Sequence, residues 1–286
     1  MTQTKRAAQT KRAARERARE AIAAQRAAEA RRRRMITAGA TVGGVIVLVG
    51  IIVAAFFLVG GKKDAAPAKA ASAGLINQVT NVPAATLDQI GKGSILSGAT
   101  PTATSGQPVL SADGKPVVFY YGAQFCPFCA AERWPLIVAL SRFGTFSNLS
   151  QINSSEDNIP TFTFEGSTYT SKYVTFQPKE VEDQKGAPLD TLTAQQQQIV
   201  NQFDTQKSFP FISIANQTVI TAAGLDPMSL QGKTQDQVAA ALQDPTSSLA
   251  KSIGGNANAI TAAICKVTNN QPADVCSSAA VKAFNG

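Results

Sequence analysis

The sequence predicts a mixed α/β domain that follows a single membrane-spanning helix. Residues 35–61 carry no charged side chain and are rich in Ile, Val, Leu and Phe. About 20 such residues are enough to cross a hydrocarbon core. Beyond residue 108, short β-branched or aromatic runs alternate with helical patterns, which is typical of strands and helices packed in layers.

The positive charge of the 286-residue chain is concentrated at its N-terminus. The chain has 27 Lys and Arg against 19 Asp and Glu, and residues 1–34 hold 12 of those basic residues with only 3 acidic ones. Basic residues before a first spanning segment favour the cytoplasmic side. We therefore expect 1–34 to be a cytoplasmic tail that attracts anionic lipid, and 35–61 to anchor the chain in the plasma membrane. The tail has no aromatic residue on which a base could stack, so no nucleic-acid partner is expected.

A cleaved signal peptide is the alternative interpretation of residues 35–61, because the small-residue pattern at residues 66–68 follows them. The apolar region of a signal peptide is only about 7–15 residues long, which favours an uncleaved anchor. We expect residues 62–108 to be a linker and N-terminal extension, and residues 109–286 to form the extracytoplasmic domain.

The elements of the outer part follow from local patterns of apolar and turn-forming residues. Strands are predicted at residues 117–121, 149–152, 161–164, 169–176, 211–214 and 218–221. Helices are predicted after Pro83, over residues 130–143 with an interruption at Pro135, over residues 193–206, and from Thr234 to the C-terminus with breaks at Gly254-Gly255 and Gln271-Pro272.

The chain contains no histidine. This excludes a Ser-His-Asp triad, a Cys-His protease dyad and an HExxH zinc site. The chemistry that remains open depends on other side chains, and the four cysteines are the strongest candidates.

Cys126 and Cys129 form a CxxC motif where the strand at 117–121 gives way to a helix. A cysteine at a helix N-terminus is favoured as a thiolate by unpaired backbone N–H groups and the helix dipole. The second cysteine lies one turn further on and is placed to resolve a mixed disulfide. Pro127 suits the first helical position, where a missing N–H costs nothing. The motif therefore predicts reversible disulfide chemistry with no metal or other cofactor.

Two other interpretations of the motif remain open, and a third, two free buried thiols, is disfavoured outside the membrane, where oxidants act. One is a structural zinc site that uses all four cysteines, although ten residues lie between Cys265 and Cys276 instead of the usual two to four. The other is an inert structural disulfide between Cys126 and Cys129.

The order of elements is similar to the thioredoxin fold. In that fold a cis-proline before the penultimate strand lies against the CxxC and docks the substrate backbone, and Pro210 has the matching place in this chain. The resemblance implies Cys126, Cys129 and Pro210 as catalytic residues, with Phe128 and Phe209 binding substrate. It also implies an inserted segment and a C-terminal helical extension around the thioredoxin-like core.

A closer resemblance covers roughly residues 80 to 280. The runs at 114–149, 160–174 and 265–276 look like a bacterial and archaeal family of membrane-anchored thioredoxin-like proteins, catalogued as a domain of unknown function. Tyr120 departs from thioredoxin, which has a buried acid there. The Pro127-Phe128 dipeptide is more similar to glutaredoxin and lacks a thiolate-stabilising histidine.

The charged residues nearest the motif are Glu132 and Arg133. Arg133, one turn beyond Cys129, is placed to lower a thiol pKa. The alternative for the two residues is a surface pair or a structural ion pair.

Cys265 and Cys276 lie in the helical C-terminal region on either side of a predicted turn. They predict a structural disulfide between two helices, as expected outside the cytoplasm. A second redox pair that relays electrons to Cys126 is the alternative.

The leading hypothesis is a membrane-anchored thiol–disulfide oxidoreductase that acts on cysteines of exported or membrane proteins, with an unknown redox partner. The second is an inactive binding module of the cell envelope, in which residues 144–208 form a partner surface.

Overall fold

The computed structural model of the protein describes residues 66–284. The tail predicted for residues 1–34 and the anchor predicted for residues 35–61 lie outside the described residues. Within residues 66–284, no helix combines the length and the apolar character needed to cross a bilayer.

Helices and strands alternate along the described chain, as the sequence predicts, so the α/β class is confirmed. The helices are α1 (Ala73–Thr80), α2 (Ala84–Ile90), α3 (Pro127–Ser141), α4 (Ala194–Phe203), α5 (Gln235–Ala241), α6 (Ser248–Val267), α7 (Ala273–Cys276) and α8 (Ala279–Lys282). The strands are β1 (Lys69–Ala70), β2 (Thr102–Ala103), β3 (Ser111–Ala112), β4 (Lys115–Gly122), β5 (Gly144–Ser147), β6 (Ser150–Asn153), β7 (Pro160–Thr163), β8 (Thr168–Ser171), β9 (Thr175–Glu180), β10 (Phe211–Ile214) and β11 (Thr218–Ile220).

A mixed sheet lies at the centre, with neighbouring strands in the order β2-β11-β10-β4-β9. Strand β9 runs parallel to β4, and the other neighbours are antiparallel. Strand β3 forms a tight hairpin with the start of β4. The segment between α3 and β9 forms two smaller sheets. In one, β6 and β7 are joined by the N-terminal strand β1 in the order β1-β6-β7, and in the other β5 pairs with β8.

Strand β4 is buried on both faces because helices cover both sides of the sheet. Val118 and Tyr120 face the larger core, which includes α3 and α6. Val117 and Phe119 face a smaller core that includes residues of α4. Side chains alternate between the two faces of a strand, so a strand buried on both faces needs consecutive apolar residues. This explains the uninterrupted apolar run at 117–121.

Helix α3 runs through the larger core with Pro135 inside it. The indole N–H of Trp134 donates to the carbonyl of Pro160 at 2.9 Å, which joins α3 to β7. Four large apolar side chains of this helix are fully buried: Trp134, Leu136, Ile137 and Leu140. The packing of α3 holds its N-terminus, with both motif cysteines, against the end of β4.

The break predicted at Gly254-Gly255 is wrong, because α6 continues through both residues. The two glycines serve packing. A Cβ on Gly254 would lie 2.7 Å from Ile90 Cδ1, and one on Gly255 would lie 2.9 Å from the Cα of Gly93. They let α6 approach α2 and the loop after it closely.

The β-prone run predicted as one strand at 169–176 forms two strands, β8 and β9. The hydroxyl of Ser171 accepts hydrogen bonds from the N–H groups of Tyr173 at 3.0 Å and Val174 at 3.2 Å. This local turn separates the two strands, and propensity alone did not reveal it.

Helices α1 and α2, within the stretch predicted as a linker and N-terminal extension, pack into the domain. Leu75 of α1 and Leu87 of α2 are buried in the same core as α3. The side chain of Asn258 in α6 donates to the carbonyls of Leu87 at 2.9 Å and Gly91 at 2.8 Å, so α2 is fixed at its C-terminal end.

Candidate active site

Cys126 is the N-cap residue of α3. Its backbone is extended, Pro127 takes the first helical position, and the Cys126 Sγ accepts the N–H of Cys129 at 3.3 Å. The first backbone N–H groups of a helix have no partner within the helix, so the sulfur fills a position usually taken by Ser, Thr or Asp. The predicted location at the helix start is confirmed.

The two thiols are free and differ in acidity. The pKa of Cys126 is lowered, chiefly by the hydrogen bond from the Cys129 side chain and also by backbone N–H groups and the charge of Arg133, against the opposing effect of burial. Burial raises the pKa of Cys129 well above its usual range, and the hydrogen bond to Cys126 adds to this. The first thiol is therefore the better nucleophile, and the second is held as a proton donor.

The same asymmetry appears in access to solvent. Cys126 exposes 6% of its surface and Cys129 exposes none. A reagent or a partner cysteine reaches the first sulfur before the second.

Arg133 lies one turn beyond Cys129 and is fully buried, so the surface interpretation of Glu132 and Arg133 is wrong. Its guanidinium Nη2 lies 2.7 Å from Glu180 Oε1 and donates to the carbonyl of Ala123 at 2.7 Å. Burial opposes the guanidinium charge, but the attraction of Glu180 raises the pKa of Arg133 overall. The side chain remains charged next to the thiols.

Glu180, at the end of β9, is held by several donors. Its Oε2 accepts from the Thr163 hydroxyl, from the N–H of Phe164 at 3.2 Å and from the Gln124 side chain at 3.4 Å. Sequence reasoning missed Glu180. No local sequence signal identifies it, because it is the parallel register of β9 with β4 that places Glu180 beside Gly122, where the motif begins.

Tyr120 borders the second thiol. A Cβ added to Gly122 would meet the Tyr120 hydroxyl and would lie 2.9 Å from Cys129 Sγ. The two groups therefore share a small space that only a glycine leaves open. Burial raises the pKa of Tyr120, so the phenol stays neutral and is no substitute for a carboxylate base.

Aromatic side chains surround Cys126. Phe125 and Phe209 pack against the cluster of Ala123 and the two cysteines, and their ring centroids are 6.3 Å apart. The Phe209 ring lies 5.0 Å from that of Tyr121.

Of the two rings assigned to substrate binding, Phe209 touches this cluster and Phe128 projects outward, 52% exposed. The bond between Phe209 and Pro210 is cis, as predicted. The next residue, Phe211, pairs with Tyr121, so Pro210 lies at the end of β4 from which the motif loop leaves.

Glu132 points away from the thiols, toward α6. Its Oε2 accepts from the N–H of Gly224 at 2.9 Å and from the Asn256 side chain at 2.7 Å. Burial raises the pKa of Glu132 to about 8, although these two hydrogen bonds oppose the shift. The carboxyl is a buried group of its own and does not pair with Arg133.

Cys265 and Cys276 are bonded to each other, with a Cα–Cα distance of 5.6 Å. The predicted disulfide between two helices is confirmed, since Cys265 belongs to α6 and Cys276 ends α7. Both sulfurs are committed to this bond, so the four-cysteine zinc hypothesis does not fit the structure.

One family model matches the chain. The model is described as "Domain of unknown function (DUF929)", and it covers residues 102–266, more than half of the sequence. No curated protein and no solved structure matches.

Proposed function

We propose that this chain, which belongs to the family described as Domain of unknown function (DUF929), is a thiol–disulfide oxidoreductase that uses Cys126 and Cys129. The observation that carries the proposal is the asymmetry of the pair. Cys126, which keeps 6% of its surface exposed, has a lowered pKa, and the fully buried Cys129 has a raised pKa. Exchange chemistry needs an attacking thiolate and a second thiol that resolves the mixed disulfide.

The arrangement of elements supports a thioredoxin-like fold as the finer assignment. Strand β4 leads into the dithiol at the start of α3, and Pro210 precedes the antiparallel hairpin of β10 and β11. In this proposal the strands β5 to β8 are the inserted segment, and the helices after β11 are the C-terminal extension.

In the reducing direction, the Cys126 thiolate attacks a substrate disulfide. A bond forms between Cys126 Sγ and one substrate sulfur, the substrate S–S bond breaks, and the departing sulfur takes a proton from solvent. Cys129 then loses its proton and attacks Cys126 Sγ, which forms the Cys126–Cys129 disulfide and releases the second substrate thiol. Two electrons and two protons pass to the substrate, and the oxidising direction is the reverse.

The substrates in this proposal are cysteines of exported or membrane proteins. The support comes from the sequence, in which a basic tail and an uncharged 27-residue segment precede the domain. The disulfide between Cys265 and Cys276 adds support, because such bonds persist in oxidising compartments.

An inactive binding module is the second candidate. The observation that favours it is the burial of the thiols, since Cys126 exposes only 6% of its surface and aromatic rings pack around it. A module of this kind would keep the fold and bind partners without exchanging disulfides with them.

Trapping separates the two candidates. In the full chain expressed in cells, Cys129→Ala removes the resolving thiol, and we expect mixed disulfides between Cys126 and exported or membrane proteins. The matched control is Cys126→Ala with Cys129 intact, which should capture nothing. Equal and empty captures from both variants would contradict the enzyme and leave the binding module.

The direction of electron flow is measured separately. Equilibrating the full chain in detergent with glutathione buffers of known ratio gives the reduction potential of Cys126/Cys129. A disulfide that strong dithiol reductants leave intact would also contradict the proposal.

A further inference from the structure

Arg133 is a fully buried cation beside the dithiol, and the exchange steps alone do not explain its presence. Placing a charge in a protein interior is costly unless partners compensate for it. The contacts of Arg133 indicate a role that explains why a buried charge is present at this position.

The guanidinium is clamped at one nitrogen. Its Nη2 lies 2.7 Å from both Glu180 Oε1 and the Ala123 carbonyl. Glu180 is itself oriented by Thr163 and by the N–H of Phe164 at 3.2 Å. The position of the charge is therefore fixed by β9 and by the loop that leads into the motif.

The other two nitrogens of Arg133, Nε and Nη1, have no hydrogen-bond partner among residues 66–284, and neither has the hydroxyl of Tyr120. The guanidinium carbon lies 5.9 Å from the centroid of the Tyr120 ring, and the hydroxyl of that ring borders the same space as Cys129 Sγ. Donors without an acceptor thus belong to a buried cation that lies against Tyr120, the residue whose hydroxyl borders Cys129 Sγ.

We infer that Arg133 is a positioning residue of the proposed exchange, in which its clamped guanidinium favours the thiolate forms of Cys126 and Cys129. This inference rests on the proposed function. When a substrate thiolate attacks Cys126 Sγ of the oxidised pair, a new S–S bond forms and the Cys126–Cys129 bond breaks. The electron pair goes to Cys129 Sγ, which then takes a proton from solvent. The fixed cation stabilises that leaving sulfur, a role for which this chain has no histidine.

The charged and titratable groups around the dithiol come from three elements: Cys129 and Arg133 of α3, Tyr120 of β4, and Glu180 of β9, which pairs with Arg133. Burial raises the pKa values of Cys129 and Tyr120, so both are neutral before the reaction. The charge of Arg133 acts on both sulfurs and lowers their pKa values. Arg133 is therefore the side chain whose removal should change thiol acidity.

The test is the ultraviolet absorbance of the thiolate as a function of pH, measured on the reduced full chain in detergent with the oxidised chain as the baseline. The first variant is Arg133→Met, and the second is the pair Arg133→Met with Glu180→Gln, which leaves no lone buried charge. Below the titration midpoint we expect about tenfold less thiolate in both, since one pH unit in the midpoint changes the thiolate fraction tenfold. The equilibrium with glutathione should move by a similar factor toward the disulfide.

Two further variants separate charge from shape. Arg133→Lys keeps the charge and should titrate close to the unmodified chain. Arg142→Gln removes a cation at the other end of α3, where Arg142 contacts Asn258 and Ser278. At a rise of about 1.5 Å per residue, Arg142 lies roughly 24 Å along the helix from Cys126, which is beyond the screening length of salt. We therefore expect no shift in the thiol titration of this variant.

The same inference can be tested by NMR on the unmodified chain, without any substitution. The NMR resonance of the Arg133 Nε–H should move with the same midpoint as the thiolate absorbance. A resonance that stays constant would overturn the inference, as would a folded double variant that titrates like the parent. Either result would leave the exchange activity intact, whereas a parent chain that exchanges no disulfide defeats the proposed function itself.

Discussion

The two cysteine pairs of this protein are almost equally buried, yet they differ in state. Cys265 and Cys276 are bonded and join α6 to α7, while Cys126 and Cys129 are free thiols at the start of α3. Exposure does not separate the pairs, because each cysteine has at most 6% of its surface in contact with solvent. What differs is the position relative to a helix end and a fixed charge. The free pair is therefore distinguished from the bonded pair by its surroundings and not by its exposure to solvent.

The largest difference between the pairs should appear in catalysis. Cys126→Ser should reduce disulfide exchange by the full chain by about 10³-fold or more, because the attacking thiolate is lost. The double change Cys265→Ser and Cys276→Ser should keep most of the rate. The measurement is the reduction of a disulfide-bonded model protein. Comparable losses in both variants would mean that the two pairs form one relay.

Stability should show the opposite ranking. Removing the Cys265–Cys276 disulfide, which closes a sequence separation of 11, should lower the free energy of unfolding by about 3 kcal/mol. Replacing Cys126 and Cys129 with Ser in the reduced chain should change it by less than about 1 kcal/mol. Denaturant unfolding of the two double variants measures both values. A larger loss from the Cys126 and Cys129 variant would show that the free pair is also structural.

Gly122 tests how closely the free pair is packed. A Cβ at this position would overlap the Tyr120 hydroxyl and Cys129 Sγ, so Gly122→Ala should cost about 2 kcal/mol and slow exchange. The control is Gly74→Ala in α1, where the nearest atom to an added Cβ is 3.9 Å away and the change should be neutral or stabilising. Thermal unfolding of both variants gives the comparison, and equal effects would argue against the crowded site.

The smallest expected effect is a pH-dependent change in the free energy of unfolding at Glu132, on the face of α3 that is turned toward α6. Its pKa is about 8 in the folded chain and near 4.5 when unfolded, so its contribution to stability is fully present below pH 4.5 and is lost as pH rises toward 8. Glu132→Gln mimics the protonated form and should stabilise the chain by about 1–2 kcal/mol at pH 8, with little change at pH 4. Unfolding free energies at the two pH values measure this. A variant that is destabilised equally at both would show that Glu132 works as a charged group.

Local patterns predicted much of the fold and the core of the candidate site. The strand at 211–214 and the position of Cys126 at a helix start follow from residues close together in the chain, and the structure agrees with both. The predicted bond between Cys265 and Cys276 also depends on two residues in one short region.

The features that were missed depend on distant contacts. Gly254 and Gly255 look like helix breakers, but the structure shows that Ile90 packs against Gly254 and the loop at Gly93 packs against Gly255. The ion pair of Arg133 and Glu180 joins α3 to the end of β9, and it follows only from the parallel register of β9 with β4. No local pattern encodes that register.

The sulfur that caps α3 has a further consequence. Cys126 Sγ closes the first turn of the helix by accepting the Cys129 N–H, and a thiolate is a stronger acceptor than a thiol or a disulfide sulfur. By thermodynamic linkage, reduction of the proposed Cys126–Cys129 couple changes the free energy of ordering this helix end, and ordering the helix end changes the free energy of reduction by the same amount. The protection of the Cys129 amide against hydrogen exchange should therefore depend on whether Cys126 and Cys129 are reduced or oxidised. If the proposed exchange occurs, the order of this helix end should change with the oxidation state of the Cys126–Cys129 pair.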